Sequence, residues 1–237
     1  MLQDTTLLTD FHAFVVDMCN GDVAQDVADI LAASNLTGIP KPCGGTRPIA
    51  AGSVPLKIAE TQSVTRASDK LKSMFGERQR GVSCSSGTDI IVHRARLFLR
   101  TGRRQDGTVA PDSRVIVTCD FENAFNMLYR SAMWEAMRDI PELHGVFSVS
   151  YGAHSKLFVT GQPGTILWSK RGARQGTVCG PAAFALGILL ARRGNHDTRG
   201  IIGRARIFTT LGIIIAAGAS LYLSSFLAPA FALISLI

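Results

Sequence analysis

The sequence predicts a mixed α/β (α+β) chain with an apolar, helical C-terminal tail. Three observations carry this. Residues 1–185 mix helical periodicities with short β-branched runs. Hydrophobic residues make up 46% of the 237 positions and charged residues 18%, a balance too apolar for a disordered chain and long enough to bury a core without disulfides or metals. Finally, Ile207–Ile237 is a run of 31 residues without a charge, where a bilayer core needs about 20. Five arginines and Asp197 precede or flank that run, so +4 of the net +7 charge falls in residues 186–237. The two compositions join near Leu186–Asn195. A basic balance points to an anionic partner, nucleic acid or an acidic membrane surface.

The elements follow in order. Asp22–Ala33 places Val23, Val27, Ile30 and Leu31 at helical spacing. Asn35–Gly45 is a loop or short strand, broken by Pro40, Pro42 and two glycines. Ser53–Met74 reads as a helix with Pro55 near its start, where proline is tolerated. Thr88–Gly102 sets Ile91, Ala95, Leu97 and Leu99 among His93, Arg94, Arg96 and Arg100, a basic amphipathic helix. Arg114–Cys119 is a β-branched run suited to a buried strand. Glu122–Met137 carries Phe125, Leu128, Trp134 and Met137 at helical offsets. Val146–Tyr151, Lys156–Thr160 and Thr165–Ser169 read as short strands, with turns at Gly152 and Gln162-Pro163-Gly164. Pro181–Leu190 reads as a helix following Gly180.

Several functions are excluded. The five cysteines (Cys19, Cys43, Cys84, Cys119, Cys179) form no CxxC and are odd in number, which argues against a disulfide framework or a zinc finger and fits a reducing compartment. No disulfide partner is expected. Met1–Asp10 has two acids and no basic residue, unlike a signal peptide. There is no phosphate-loop, HExxH or GxSxG motif, and the five histidines lack metal-ligand spacing.

The chemistry begins where a strand ends. Asp120 follows the Arg114–Cys119 run directly and precedes a helix. A carboxylate there sits at the rim of a sheet, where ligands bind in open α/β folds, and its oxygens suit Mg²⁺. Taken alone, it reads more readily as a helix N-cap. The segment Cys119-Asp120-Phe121-Glu122-Asn123-Ala124-Phe125 resembles motif A of reverse transcriptases. Ile39-Pro40-Lys41-Pro42 with Arg47-Pro48-Ile49 is similar to the fingers motif of that family. Gln79-Arg80-Gly81-Val82, with Gly87-Thr88-Asp89 and His93, is similar to its next segment. Gly172-Ala173-Arg174-Gln175-Gly176, followed by Gly180-Pro181 and Phe184, is similar to motif B. The resemblance spans roughly residues 10–187. It is closest to the non-LTR retrotransposon and group II intron type.

That resemblance implies the fingers and partial palm of a right-hand polymerase. Residues 1–115 would be the fingers-like region, 116–187 the partial palm, 188–206 an Arg-rich linker and 207–237 the apolar tail. It implies RNA-templated DNA synthesis from dNTPs on an RNA template and a DNA primer. It implies Mg²⁺ as the metal, two ions clamping the attacking and leaving oxygens. By the same resemblance Asp120 would be catalytic and bind both metals, and the backbone carbonyl of Phe121 would bind one. Lys41 and Arg47 would hold the triphosphate. Phe125 would be a steric gate against a ribose 2′-hydroxyl. Gln175 and Gly176 would let the backbone approach the incoming nucleotide and template. Arg94, Arg96, Arg100, Arg103 and Arg104 are placed to track a phosphate backbone. Solvated surface cations are the alternative for the arginines and Lys41, helix packing for Phe125, and a turn for Gln175-Gly176.

The sequence departs from the family in one respect. The second acidic motif, an aromatic-x-Asp-Asp, is missing: Asp197 is the only Asp or Glu after Glu142. A single carboxylate does not hold two Mg²⁺ ions, so the chain is expected to be catalytically incomplete. A frameshift or truncation near Gly187 explains this, as does a membrane anchor on a reused fragment. In the second case the arginines keep residues 1–206 cytoplasmic. Three readings follow: an inactive reverse transcriptase fragment, nuclear or cytoplasmic by family; a non-catalytic RNA- or nucleotide-binding remnant; and a tail-anchored membrane protein inserted through residues 207–237.

Overall fold

A computed structural model of the chain describes residues 5–42, 44–101, 116, 120–121, 124–192 and 207–208. Its class is mixed α/β with a four-stranded sheet. In chain order the helices are α1 (Thr5–Asn20), α2 (Gln25–Ala32), α3 (Val54–Phe75), α4 (Gly87–Thr101), α5 (Ala124–Met127), α6 (Arg130–Ala136), α7 (His144–Tyr151) and α8 (Gly180–Arg192). The strands are β1 (Ser34–Pro40), β2 (Thr46–Gly52), β3 (Asp120–Phe121), β4 (Ser155–Val159), β5 (Ile166–Ser169) and β6 (Ile207–Phe208).

The sheet order is β2-β1-β4-β5. Strands β1 and β2 form an antiparallel hairpin, with Ile39 opposite Arg47 and Thr37 opposite Ile49. Strand β1 runs parallel to β4, aligning Asn35 with Phe158, and β4 pairs antiparallel with β5. Helix α3 ties the molecule together. Its N-terminal half gives Leu56 and Ala59 to one core, shared with Val15 and Met18 of α1 and Leu31 of α2. Its C-terminal half gives Ala67, Leu71 and Phe75 to a second, shared with Leu128, Met133, Leu186 and Leu189. Proline is tolerated at the start of α3, because the N–H groups of the first turn have no acceptor within the helix.

Two expectations change. Val146–Tyr151 is not a strand but most of helix α7. Val146 and Val149 pack in the first core while Phe147 and Tyr151 pack in the second. A short helix buried on both sides shows no polar face, so the alternation of Phe147, Val149 and Tyr151 with Ser148 and Ser150 imitates a strand, and tertiary packing overrides propensity. Its approach to α1 is close: a Cβ at Gly145 would meet the backbone of Cys19 and Asn20.

The expected helix over Glu122–Met137 is broken into α5 and α6. The carbonyls of Phe125 and Leu128 accept hydrogen bonds from Ala173 N (2.8 Å) and Gly172 N (2.9 Å) instead of continuing a helix. Tyr129 is extended between the two pieces.

At the other end of the chain, Ile207 and Phe208 form β6, antiparallel to β3, with Phe208 opposite Asp120. These two residues are therefore strand rather than the start of a helix. Among the described residues no helix is long and apolar enough to cross a membrane, so the membrane reading has no support there. Residues 209–237, the Arg-rich 193–206, and Arg114–Cys119 apart from Ile116 lie outside the described residues.

Candidate functional site

The site is built from beneath by a buried polar network. Helix α3 turns a stripe of Leu56, Ala59, Glu60, Ser63 and Ala67 inward. Glu60 is only 1% exposed. A buried carboxylate is stable only if its lone pairs are met, and three donors meet them. Ser150 Oγ (2.8 Å) and Cys179 Sγ (3.2 Å) donate to Oε1, and the Val178 N–H donates to Oε2 at 2.6 Å. Burial and the neighbouring Glu60 carboxylate push the Cys179 thiol well above its usual range, so it stays a thiol and a donor.

Arg174, 4% exposed, anchors the same loop. Its guanidinium donates to Ala32 O, to Ser155 Oγ (2.6 Å) and to Ser150 O (2.9 Å). It also lies 4.9 Å from the centre of the Tyr151 ring. The Tyr151 hydroxyl accepts from Arg174 N (3.2 Å) and shares a 2.7 Å hydrogen bond with Thr177 Oγ1. Burial drives the Tyr151 phenol upward, so it remains neutral. Arg130 closes the other side, donating to Ala153 O and Ser169 O, each at 2.9 Å. Burial, and then repulsion from Arg174, lowers its pKa to about 10. It remains a cation at neutral pH.

This network fixes the loop from Gly172 to Cys179 against β2. The Ala50 N–H donates to Gln175 O at 2.7 Å, and Ile49 and Gln175 form a parallel bridge. Gly176 has φ +122°, a conformation that favours glycine, and a Cβ there would strike Ala50 O. Arg47 is exposed two residues before Ile49, and Gly176 is exposed beside it. Lys41, half-buried, sits at the turn of the same hairpin, where its backbone bonds with Gly44 and Gly45. Phe125 joins the loop through its carbonyl, and its ring stacks on Phe184 with centroids 4.6 Å apart.

Thus the structure bonds the loop carrying Gln175 and Gly176 to Ile49 and Ala50 of β2 and to Phe125, with Arg47 two residues before Ile49 on the same strand and Lys41 farther out along the hairpin. Asp120 and Phe121 lie on β3, in a separate two-stranded sheet. Of the basic residues on α4, Arg94 is not free for an anion. It pairs with Glu77 at 2.9 Å, and its guanidinium holds that carboxyl below the usual range. Arg96 and Arg100 are exposed. Arg103 and Arg104 lie outside the described residues.

Sequence reasoning assigned no role to Glu60, Arg174 or Tyr151. One signal was available for Glu60: a lone acid on an otherwise apolar helical stripe is buried with partners or not stable at all. Nothing in the local sequence marks Tyr151, whose partners are 23 and 26 residues away.

The chain is 30% identical over 206 residues, 82% of its length, to the retrotransposable element SLACS 132 kDa protein of Trypanosoma brucei gambiense. This supports a retroelement-related origin for the chain. It spans only 16% of that relative's length. No protein-family model matches the chain.

Proposed function

We propose that this chain carries the fingers and partial palm of a retroelement reverse transcriptase and lacks a complete catalytic centre. Residues 1–115 are then the fingers-like region and 116–187 the partial palm. The observation that carries the reading is the junction of the Gln175-Gly176 loop with β2, which sets two distant, family-like segments side by side. The retrotransposon relative supports the lineage.

In this reading Arg47 and Lys41 meet the triphosphate of an incoming nucleotide. The Gly176 backbone, with no side chain in the way, allows base or sugar to come close. The Phe125 ring, braced by Phe184, stands against a 2′-hydroxyl. RNA template, DNA primer and dNTPs are the partners, and a nuclear or cytoplasmic site of action follows from the lineage.

The donor set for Mg²⁺ does not fit a two-ion centre. Asp120, with the Phe121 carbonyl, supplies one carboxylate, and the chain has no aromatic-x-Asp-Asp. Among the described residues no group of three His, Cys, Asp or Glu side chains stands together. No catalytic step is therefore assigned to the chain alone.

The test is primer extension by the purified full chain on an RNA template with dNTPs, in Mg²⁺ and in Mn²⁺. No extension is expected. Extension that disappears in Asp120→Ala contradicts the incompleteness. Translating the DNA downstream of the Phe184–Arg206 codons in all three frames tests the lineage. An aromatic-x-Asp-Asp in another frame marks a frameshifted element.

A further inference from the structure

The outer face of the four-stranded sheet has no role in the network beneath it. Pairing and alternation place Asn35, Thr37 and Ile39 of β1, Arg47 and Ile49 of β2, Lys156 and Phe158 of β4, and Ile166 and Trp168 of β5 on that face. The buried Ser34, Ser155, Ser169 and Ala50 take the other. The large side chains of the outer face stand open: Ile39 is 49% exposed, Phe158 43%, Ile166 42% and Trp168 51%. Phe158 lies opposite Ile166 and Lys156 opposite Trp168. Phe158 and Trp168 are therefore diagonal neighbours, their Cα atoms about 7–8 Å apart. The Lys156 ammonium lies 6.0 Å from the Trp168 ring centre.

The charge on this face has one sign. The four strands come from two stretches, residues 33–59 and 143–196, that contain no Asp or Glu. Arg47 and Lys156 are the charges they present here, and Lys170 follows β5. Open aromatic rings on β4 and β5, with Lys156 beside them, Arg47 on the far edge strand β2 and no carboxylate in the strands, complement a polyanion that carries exposed ring faces. A protein partner has no such need of uniform charge. A membrane surface does not need paired rings on a rigid sheet.

We infer that the outer face of the β2-β1-β4-β5 sheet binds a single strand of nucleic acid, with bases stacked on Phe158 and Trp168 and the strand's phosphates held by Lys156. Stacking on aromatic side chains combined with basic groups along the backbone is a general way to hold a single strand. The choice of nucleic acid as ligand rests on the reading proposed above. The surface also continues into Arg47, so a bound strand would run toward the Gln175-Gly176 junction.

The test is fluorescence anisotropy of the full chain with a labelled single-stranded oligo(U) RNA of about 20 nucleotides, beside a duplex RNA of equal length. The single strand should bind more tightly. Phe158→Ala with Trp168→Ala should weaken it at least tenfold, with the circular dichroism unchanged. Lys156→Ala should lower the salt slope by about 0.7. In a Trp134→Phe background the oligonucleotide should quench Trp168 fluorescence.

If RNA binds and the double variant binds equally well, the surface inference is overturned while the retroelement reading stands. If the wild-type chain binds no RNA, both fall. If the double variant instead abolishes self-association or vesicle binding and leaves RNA affinity unchanged, the face is a protein or lipid contact and the inference is wrong.

Discussion

The two faces of the four-stranded sheet are built from the same strands and do opposite things with polarity. The inner face covers Glu60 and Arg174, which bond to buried serines, Cys179 and backbone groups, with Arg174 Nε left without a partner among the described residues. The outer face leaves Arg47, Lys156, Phe158 and Trp168 open. The lesson is one of division of labour. Charge below the sheet fixes the position of the 172–179 loop, and charge above it is free to meet a ligand. Substitutions should therefore sort by face, costing stability below and binding above.

The sharpest way to break this comparison is below the sheet. Arg174→Ala leaves Ala32 O, Ser155 and Ser150 O without their donor and removes the cation beside Tyr151. We expect a loss of about 3 kcal/mol or more, read as a lower urea midpoint. A loss under about 1 kcal/mol would show that the network is ornamental. Glu60→Ala should come close behind, since Val178 N, Ser150 and Cys179 all lose their acceptor.

Next comes the junction. Gly176→Ala forces a side chain into a left-handed conformation and onto Ala50 O. It should cost about 1–3 kcal/mol and weaken nucleotide binding more than it weakens RNA binding. A variant with normal nucleotide affinity would separate the loop from the nucleotide site.

Smaller effects are expected on the helix surface. Arg94→Ala breaks an exposed pair with Glu77 and should change RNA affinity less than Arg96→Ala, whose side chain is exposed. Comparing salt slopes of the two variants checks this, and equal slopes would return Arg94 to the free basic residues.

The smallest effect is pH-dependent. Lys70 Nζ lies 2.7 Å from Glu142 Oε1 and holds that carboxyl below its ordinary 4.5. A folded pKa below the unfolded one gives stabilisation that is present above pH 4.5 and lost as the pH falls through the folded value. The Lys70 side chain is 48% exposed, so solvent screening keeps the gain under about 1 kcal/mol. Glu142→Gln should remove that part of the acid sensitivity, measured as urea midpoints at pH 7 and pH 3.

Much of the architecture was legible because it is local. Helix α3 announces itself through Pro55 and an apolar stripe, β4 and β5 through the Gln162-Pro163-Gly164 turn, and α8 through Gly180-Pro181. What stayed hidden is non-local. Helix α7 reads as a strand because both its sides are buried, which erases the polar face that marks a helix. The break at Tyr129 is imposed by Gly172 and Ala173, more than 40 residues on.

The candidate site shows the same split. Lys41, Arg47, Gln175 and Gly176 could be named from their segments, and the structure bonds the Gln175-Gly176 loop to β2, the strand that carries Arg47. Glu60 and Tyr151 act through partners that no local pattern announces. The α4 arginines looked alike in sequence, and only the fold shows that Arg94 already has Glu77.

The most direct test of the central account is equilibrium binding of a fluorescent dNTP to the full chain with an RNA–DNA template–primer, comparing wild type with Arg47→Ala. The account predicts binding by the wild type and at least a tenfold loss in the variant, with the urea midpoint unchanged. No binding by the wild type, or equal binding by the two, would contradict the claim that the junction of β2 and the Gln175-Gly176 loop is a nucleotide site.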